Sequence, residues 1–271
     1  MSEADTLSDR IHEANIAVHK VEVSYYHLFH PEVYNRQEQE RIKLVLNQAN
    51  DLVGDHVKKA LDFGAGTGNL TGKLLALGYQ VTAVDISPEM CDVLRVKFKS
   101  YLESGKLAVI NSAIEDVDWG VDTFDLVACY SVLHHLPDYE GTLRKLCSFL
   151  KKKGVLYLDH EASPYYWKAE PSLLGELMKT IYLHSGPIIN SLYFQMVGLS
   201  VPEVDYGLSD YWHKKEHSLD HNRIQQVLMD WNFEFYRRTD YYGVRSWVFN
   251  PVFVVYSRVC RPDMSCWLAK K

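Results

Sequence analysis

The chain has 271 residues, 47% apolar and 24% charged, and its 29 basic against 35 acidic side chains leave a formal net charge of −6. That is enough for one large or two small domains with a substantial core, and the acidic balance argues against nucleic acid, whose phosphates call for a basic surplus or stripe. Five cysteines without a CxxC pair suggest neither a disulfide framework nor a zinc knuckle. No apolar signal core opens the chain and no run approaches the roughly 20 apolar residues that span a bilayer; a cytoplasmic protein with no membrane partner is expected.

Residues 1 to about 55 carry helical periodicity, in HEANIAVHKVEVSYY and again in EQERIKLVLNQANDLV, where Ile42, Val45, Leu46 and Ala49 recur at i, i+3, i+4 and i+7. They are expected to form an N-terminal helical cap. From Lys59 to Asp159 short apolar runs alternate with amphipathic stretches: KALDF, YQVTAVD, KLAVINS, DLVACYS and GVLYLDH are predicted strands, and GNLTGKLLAL, PEMCDVLRVKFKSYLE and YEGTLRKLCSFLKKK the helices between them. Such alternation implies an α/β, mostly parallel sheet with helices on both faces. Residues 163–217 interrupt the rhythm with Pro164, Pro171, Pro187 and Pro202. After them come a helix, LDHNRIQQVLMDW, with Ser218 as its expected N-cap, and two β-rich runs, FEFYRRTDYY and NPVFVVYSRVC. The expected organisation is thus a cap over 1–55 and an α/β domain over 56–271, with 163–217 as an insertion.

The strongest local signal is KALDFGAGTGNL, a strand followed by Gly64, Gly66 and Gly68 and then a helix. A strand, a glycine turn and a helix N-terminus let a ligand approach the backbone closely. A dinucleotide fingerprint needs a small third residue in G-x-G-x-x-G/A, where this chain has Asn69. Asp62 ahead of the turn sits poorly beside a pyrophosphate but suits an α-ammonium, and Asp85, 19 residues beyond Gly66, can bridge a ribose diol. Together these point to a ribosyl ligand without pyrophosphate.

With these residues in this order the sequence resembles the class I S-adenosylmethionine-dependent methyltransferases, well over about 55–160 and in outline over 219–260. FDLVACYSVLHHLPD is similar to the small-molecule branch that includes ubiquinone and menaquinone biosynthetic enzymes. The resemblance implies a Rossmann-like seven-stranded sheet and S-adenosyl-L-methionine as cofactor. It also implies that the glycine turn (Asp62, Gly64, Ala65, Gly66, Gly68) contacts the methionyl and ribose parts, that Asp85 holds the ribose with Ile86 beside the adenine, and that Cys129 and Tyr130 lie under the methionyl group. Ser112 stands where the family usually has an acid for the adenine amino group, which leaves Ala113 and Ile114 as the expected apolar or backbone contributors.

Methyl transfer from a sulfonium is an in-line displacement, so the protein must align an acceptor and exclude water, with a base only where the acceptor loses a proton. Candidates at the carboxyl ends of the strands are His134 and His135, with His135 ahead by the family's preference, then Asp159, His160 and Glu161, and in the cap Tyr25, Tyr26, His27 and His30. Each also has a structural reading: a helix cap for the histidine pair, a strand-end network for His160, cap packing for the tyrosines, of which Tyr26 is retained as a candidate for closing over the sulfonium. His213, His217 and His221 at i, i+4, i+8 are expected to straddle a helix start, so no metal site is expected; Lys151, Lys152 and Lys153 are read as a solvated helix end.

Five of six Trp and eleven of eighteen Tyr follow residue 150. Tyr165, Tyr166, Trp167, Tyr182, Tyr193, Tyr206, Tyr211 and Trp212, with Met178 and Met196, are expected to form an aromatic substrate lid, or else a dimer interface. The expected function is methyl transfer to an O, N or C nucleophile of an apolar or aromatic small molecule, by a monomer or homodimer. The alternatives are a non-methylating cofactor-binding protein of the same fold, such as a cyclase or accessory subunit, or a methyltransferase acting on RNA or protein.

Overall fold

The computed structural model describes residues 6–26, 30–54, 58–182, 204–243 and 251–271. Helix α1 (Leu7–Glu22) opens with a capping box in which the Thr6 side chain and Asp9 satisfy each other's backbone. Asn35 caps α2 (Arg36–Val53). Then follow β1 (Lys59–Phe63), α3 (Asn69–Ala76), β2 (Gln80–Asp85), α4 (Pro88–Lys97), β3 (Leu107–Asn111), β4 (Phe124–Tyr130), α5 (Tyr139–Phe149) and β5 (Leu150–Ala162). A helix over 173–182 comes next, and α6 (His221–Asp230), β6 (Phe235–Tyr241), α7 (Pro251–Val259) and β7 (Met264–Lys270) complete the chain.

The strands form one seven-stranded sheet in the order β3-β2-β1-β4-β5-β7-β6. All of β1 to β5 pair in parallel, and β7 runs antiparallel between β5 and β6. One apolar layer, with Leu143, Leu146, Ile224 and Val227, packs under α5 and α6; the other, with Ile42, Leu46, Leu74 and Leu94, packs under α2, α3 and α4. The α/β sheet with both faces covered is therefore as the alternation of runs predicts. The order reverses between β1 and β4, where a crevice opens outside their carboxyl ends and ligands bind in such sheets. All five cysteines are buried and unpaired. No described helix is long and apolar enough to cross a membrane.

Four local expectations are corrected. NPVFVVYSRVC is not a strand: Pro251–Val259 is helical, and the seventh strand is Met264–Lys270, which the sequence pattern did not single out. The β-branched run favours a strand by propensity, but Phe253, Tyr256 and Cys260 at i, i+3, i+7 meet Tyr182 of the helix over 173–182 in a small separate core. The cap of α6 is Asp220, which accepts from Asn222 N, rather than Ser218, which bridges to His213. PEMCDVLRVKFKSYLE breaks at Phe98 into α4 and a short helix Lys99–Glu103. Lys151 to Lys153 are not a helix end: Leu150 already pairs with Phe124 in the sheet, and Lys151 reaches Asp125 at 3.0 Å.

Candidate active site

The glycine turn needs its glycines for two different reasons. Gly64, Gly66 and Gly68 all have positive φ, 68°, 51° and 84°. A Cβ on Gly64 would run into the Val132 side chain and one on Gly68 into the Phe98 ring, whereas a Cβ on Gly66 would meet only the Tyr26 hydroxyl at 4.0 Å. The outer two glycines thus serve packing, and the middle one faces open space. The turn is pinned to β2, since Gly64 and Ala65 N–H donate to Val84 O at 2.9 and 3.0 Å.

Two buried acids flank it. The Asp85 carboxylate accepts from Gly66 N at 2.7 Å and Ser87 N at 2.9 Å; burial still pushes its pKa up to about 6, against those two bonds. Asp62 accepts the Thr71 hydroxyl at 2.5 Å and is raised by burial to about 7. Asn111, one residue short of the position where an acid was sought, holds the Asp85 and Ile86 carbonyls at 3.0 and 2.8 Å.

Between these elements lies a cavity of about 700 Å³ including its mouth. Gly64, Gly66, Asp85, Ile86, Ala113, Ile114 and Tyr130 line one side; Asn15, His19, Tyr26 and His135 line the other. An adjoining hollow of about 430 Å³ holds Asp62 and Ala65 and shares Gly64, Gly66, Tyr26 and Tyr130 with the first. Of the residues predicted to lie against a cofactor, Gly68, at the start of α3, and Cys129, buried inside the sheet, line neither hollow.

The predicted catalytic residues separate. His135 lines the cavity, and its Nδ1 donates to Ser209 O at 3.0 Å, which leaves Nε2 as the lone pair of the neutral ring. Burial, then the neighbouring His134, lowers its pKa to about 4. His134 is buried outside the cavity with Nδ1 at 2.7 Å from Glu161, whose other oxygen accepts Val132 N and Leu133 N at 2.9 and 2.7 Å. Burial opposes a proton on His134, but the Glu161 carboxylate outweighs it and raises the pKa.

His160 also lies off the cavity, stacked against the Tyr130 ring at 4.9 Å with Nδ1 at 3.0 Å from the Tyr241 hydroxyl and 3.4 Å from Glu38. It belongs to a buried network in which Arg41 bridges Glu38 and Asp159, Tyr130 donates to Glu38 at 2.7 Å, and Tyr157 donates to Asp159. Burial works against charge on Glu38, yet Arg41 and His160 hold its pKa well below the carboxylate range. Tyr26 lines both hollows, its ring 4.3 Å from His30. Tyr25 is half exposed, and His27 lies outside the described residues.

Several wall residues went unpredicted. His12, Asn15 and His19 face the cavity from α1, and their i, i+3, i+7 spacing is the signal that marks one helix face. Asn15 ties the wall together, donating to His135 O at 2.9 Å and accepting from Ser209 Oγ at 2.8 Å. The described lid aromatics do not line the cavity: Trp212 donates to Leu136 O, Tyr166 and Trp167 pack on His213, and Tyr182 stacks on Tyr256. Tyr193 and Met196 lie outside the described residues, as do Pro187 and Pro202. His213, His217 and His221 do not converge, since His221 is occupied by Ala162 O and Trp267 Nε1.

Residues 61–158 match the methyltransferase domain family. A ubiquinone biosynthesis O-methyltransferase of Vibrio parahaemolyticus is 35% identical over 119 residues, covering 43% of this chain and 48% of that protein. Its namesake in Xanthomonas axonopodis pv. citri is 37% identical over 102 residues, 37% of this chain and 41% of that one. The chain spans about half the length of the curated relatives it matches. Among solved structures, magnesium protoporphyrin IX methyltransferase from Synechocystis with bound SAH aligns with a TM-score of 0.53 at 16% identity, over 95% of this chain and 99% of that one. A Haemonchus contortus phosphoethanolamine N-methyltransferase aligns with a TM-score of 0.59 at 11% identity, over 99% and 60%; both likenesses concern the fold. With its sheet order and its glycine turn between two acids, the chain is similar to the class I S-adenosylmethionine-dependent methyltransferases, and its residues 61–158 form a methyltransferase domain.

Proposed function

We propose that the chain transfers a methyl group from S-adenosylmethionine to a hydroxyl oxygen of a mostly apolar or aromatic small molecule. The observation that carries this reading is a pair of adjoining hollows that share the glycine turn, with the buried acids Asp62 and Asp85 on one side and a neutral histidine on the other. When bound, the cofactor supplies an electrophilic methyl on a sulfonium. Asp85, with Gly66 open beside it, suits the ribose hydroxyls, and Ile86, Ala113 and Ile114 suit the adenine faces. Asp62 in the adjoining hollow suits the α-ammonium.

On the opposite wall His135 presents a neutral ring whose Nδ1 proton is committed to Ser209 O, so Nε2 can take the proton that a hydroxyl acceptor sheds. Asn15 fixes that ring's backbone. Tyr26 from α1's end covers the turn and limits access of water. The oxygen nucleophile is favoured over nitrogen or carbon by the need for such a base and by the names of the sequence relatives. His134 and His160, buried beside and beneath the cavity, act in this reading by holding the loop after β4 and the Tyr130 ring.

Calorimetry with S-adenosylhomocysteine tests the cofactor assignment. Asp85→Ala weakens binding tenfold or more, and unchanged affinity refutes the ribose role. His135→Gln keeps that affinity but lowers turnover about 10²-fold; full turnover removes it as base.

A further inference from the structure

His134, His135 and Asp210 come from two segments 75 residues apart, yet one ligating atom from each lies within 4.8 Å of the other two. The rings of His134 and His135 are 4.0 Å apart, and Asp210 Oδ1 is 3.3 Å from His135 Nδ1. Such a set of two imidazoles and one carboxylate is suited to zinc and its transition-metal neighbours rather than to magnesium, which prefers all-oxygen shells. We propose that these three side chains form a divalent transition-metal site at the edge of the active-site cavity.

Two independent features make the cluster more than a crowd of polar groups. Glu161 accepts a hydrogen bond from His134 Nδ1–H and is itself anchored by two backbone N–H groups. That is the outer-sphere carboxylate that orients a metal-binding imidazole and leaves Nε2 to coordinate. Neither His134 nor His135 makes a hydrogen bond through Nε2 among the described residues, since both rings use Nδ1. Asp210 is half exposed while His134 is buried, so an ion held here has an inner protein side and an outer side open to water or a further ligand.

Loading the site occupies the Nε2 lone pair of His134 while its Nδ1–H stays bonded to Glu161. It also engages His135, and here the inference rests on the proposed function: a ring that coordinates a cation cannot take a proton from the acceptor, so the loaded protein is the inactive form. Binding itself does not depend on that reading.

The test titrates the purified, chelator-treated full chain with Co²⁺, read by its visible d–d absorption, and with Zn²⁺ by competition. One saturable equivalent is expected for the unaltered protein, with tenfold or greater weakening in Asp210→Asn and in His134→Gln. Glu161→Gln should weaken it 10–100-fold by loosening the imidazole. S-adenosylhomocysteine affinity of Asp210→Asn stays at the level of the unaltered chain and reports that it is folded. Absence of a saturable cobalt spectrum, or equal affinity in Asp210→Asn, overturns the site. If zinc binds as described but leaves methyl transfer untouched, the metal site stands and the role of His135 as base falls.

Discussion

Asp62 and Asp85 make the cofactor wall sensitive to pH. Both are lifted by burial, to about 7 and about 6, so in the ligand-free protein both titrate near neutrality. In the proposed mode of binding, a cationic ammonium at Asp62 and hydroxyl donors at Asp85 need the ionised acids, and a proton must leave before they bind. S-adenosylhomocysteine affinity should therefore fall by roughly a hundredfold between pH 8 and pH 5.5, as measured by calorimetry, with a shallower fall in Asp62→Asn. The same shifts have the opposite consequence for stability. An acid whose folded pKa exceeds its unfolded value stabilises the fold below that unfolded value and loses the contribution as pH rises through 6 to 7, so the ligand-free melting temperature drops over that range. These two acids were legible in the sequence because the strand and turn fix their places. His12, Asn15 and His19 were not, since a polar stripe on a helix reads equally as a solvated face until the helix is seen to lie over the crevice.

At the scale of elements, the glycine turn divides its work between folding and binding, and substitution separates the two. Gly68 sits at φ 84° with its α-carbon against the Phe98 ring, where α4 breaks. Gly68→Ala combines a left-handed strain of about 1 kcal/mol with a collision that either the ring or α3 must yield to, worth about 1–3 kcal/mol. A fall of several degrees in melting temperature is expected. Gly66→Ala carries the strain but not the collision, so it melts closer to the parent while its methyl enters the hollow and weakens S-adenosylhomocysteine binding. Equal melting points for the two variants would contradict this division. The β1–β5 elements followed from their apolar runs, as their central position demands burial on both faces. The C-terminal part did not, because Phe253 to Tyr256 spell a strand by propensity, whereas Phe253 and Tyr256 pack as one helix face on Tyr182, a partner some 70 residues away. The break at Phe98 has the same origin, since the glycines it packs on belong to a different element.

Across the whole molecule, the N-terminal helices are joined to the sheet by charge as well as by apolar packing. Arg41 of α2 lies at 2.5 Å from Glu38, 2.8 Å from Asp159 of β5 and 3.0 Å from the Tyr241 hydroxyl of β6, with its guanidinium 3.7 Å above the Tyr241 ring. Its partners lie 118 and 200 residues away, so no local pattern could announce the network, and its sequence trace is only a polar face on a helix that was expected to pack. The same groups carry the cavity floor, since Glu38 holds the Tyr130 hydroxyl and His160 stacks beneath that ring. Arg41→Ala removes the cation and leaves Glu38 and Asp159 as two buried carboxylates sharing one site, which costs about 3–5 kcal/mol. Without Arg41 the buried Glu38 loses the first of the two cations that hold its pKa down, so the deficit should be largest at pH 8 and shrink towards pH 5. Urea denaturation of Arg41→Ala and the parent at those two pH values measures it. A deficit of the same size at both would mean that Arg41 acts by packing on Tyr241 rather than by neutralising the acids, and no deficit would remove the network from the account of how α2 is held over the sheet.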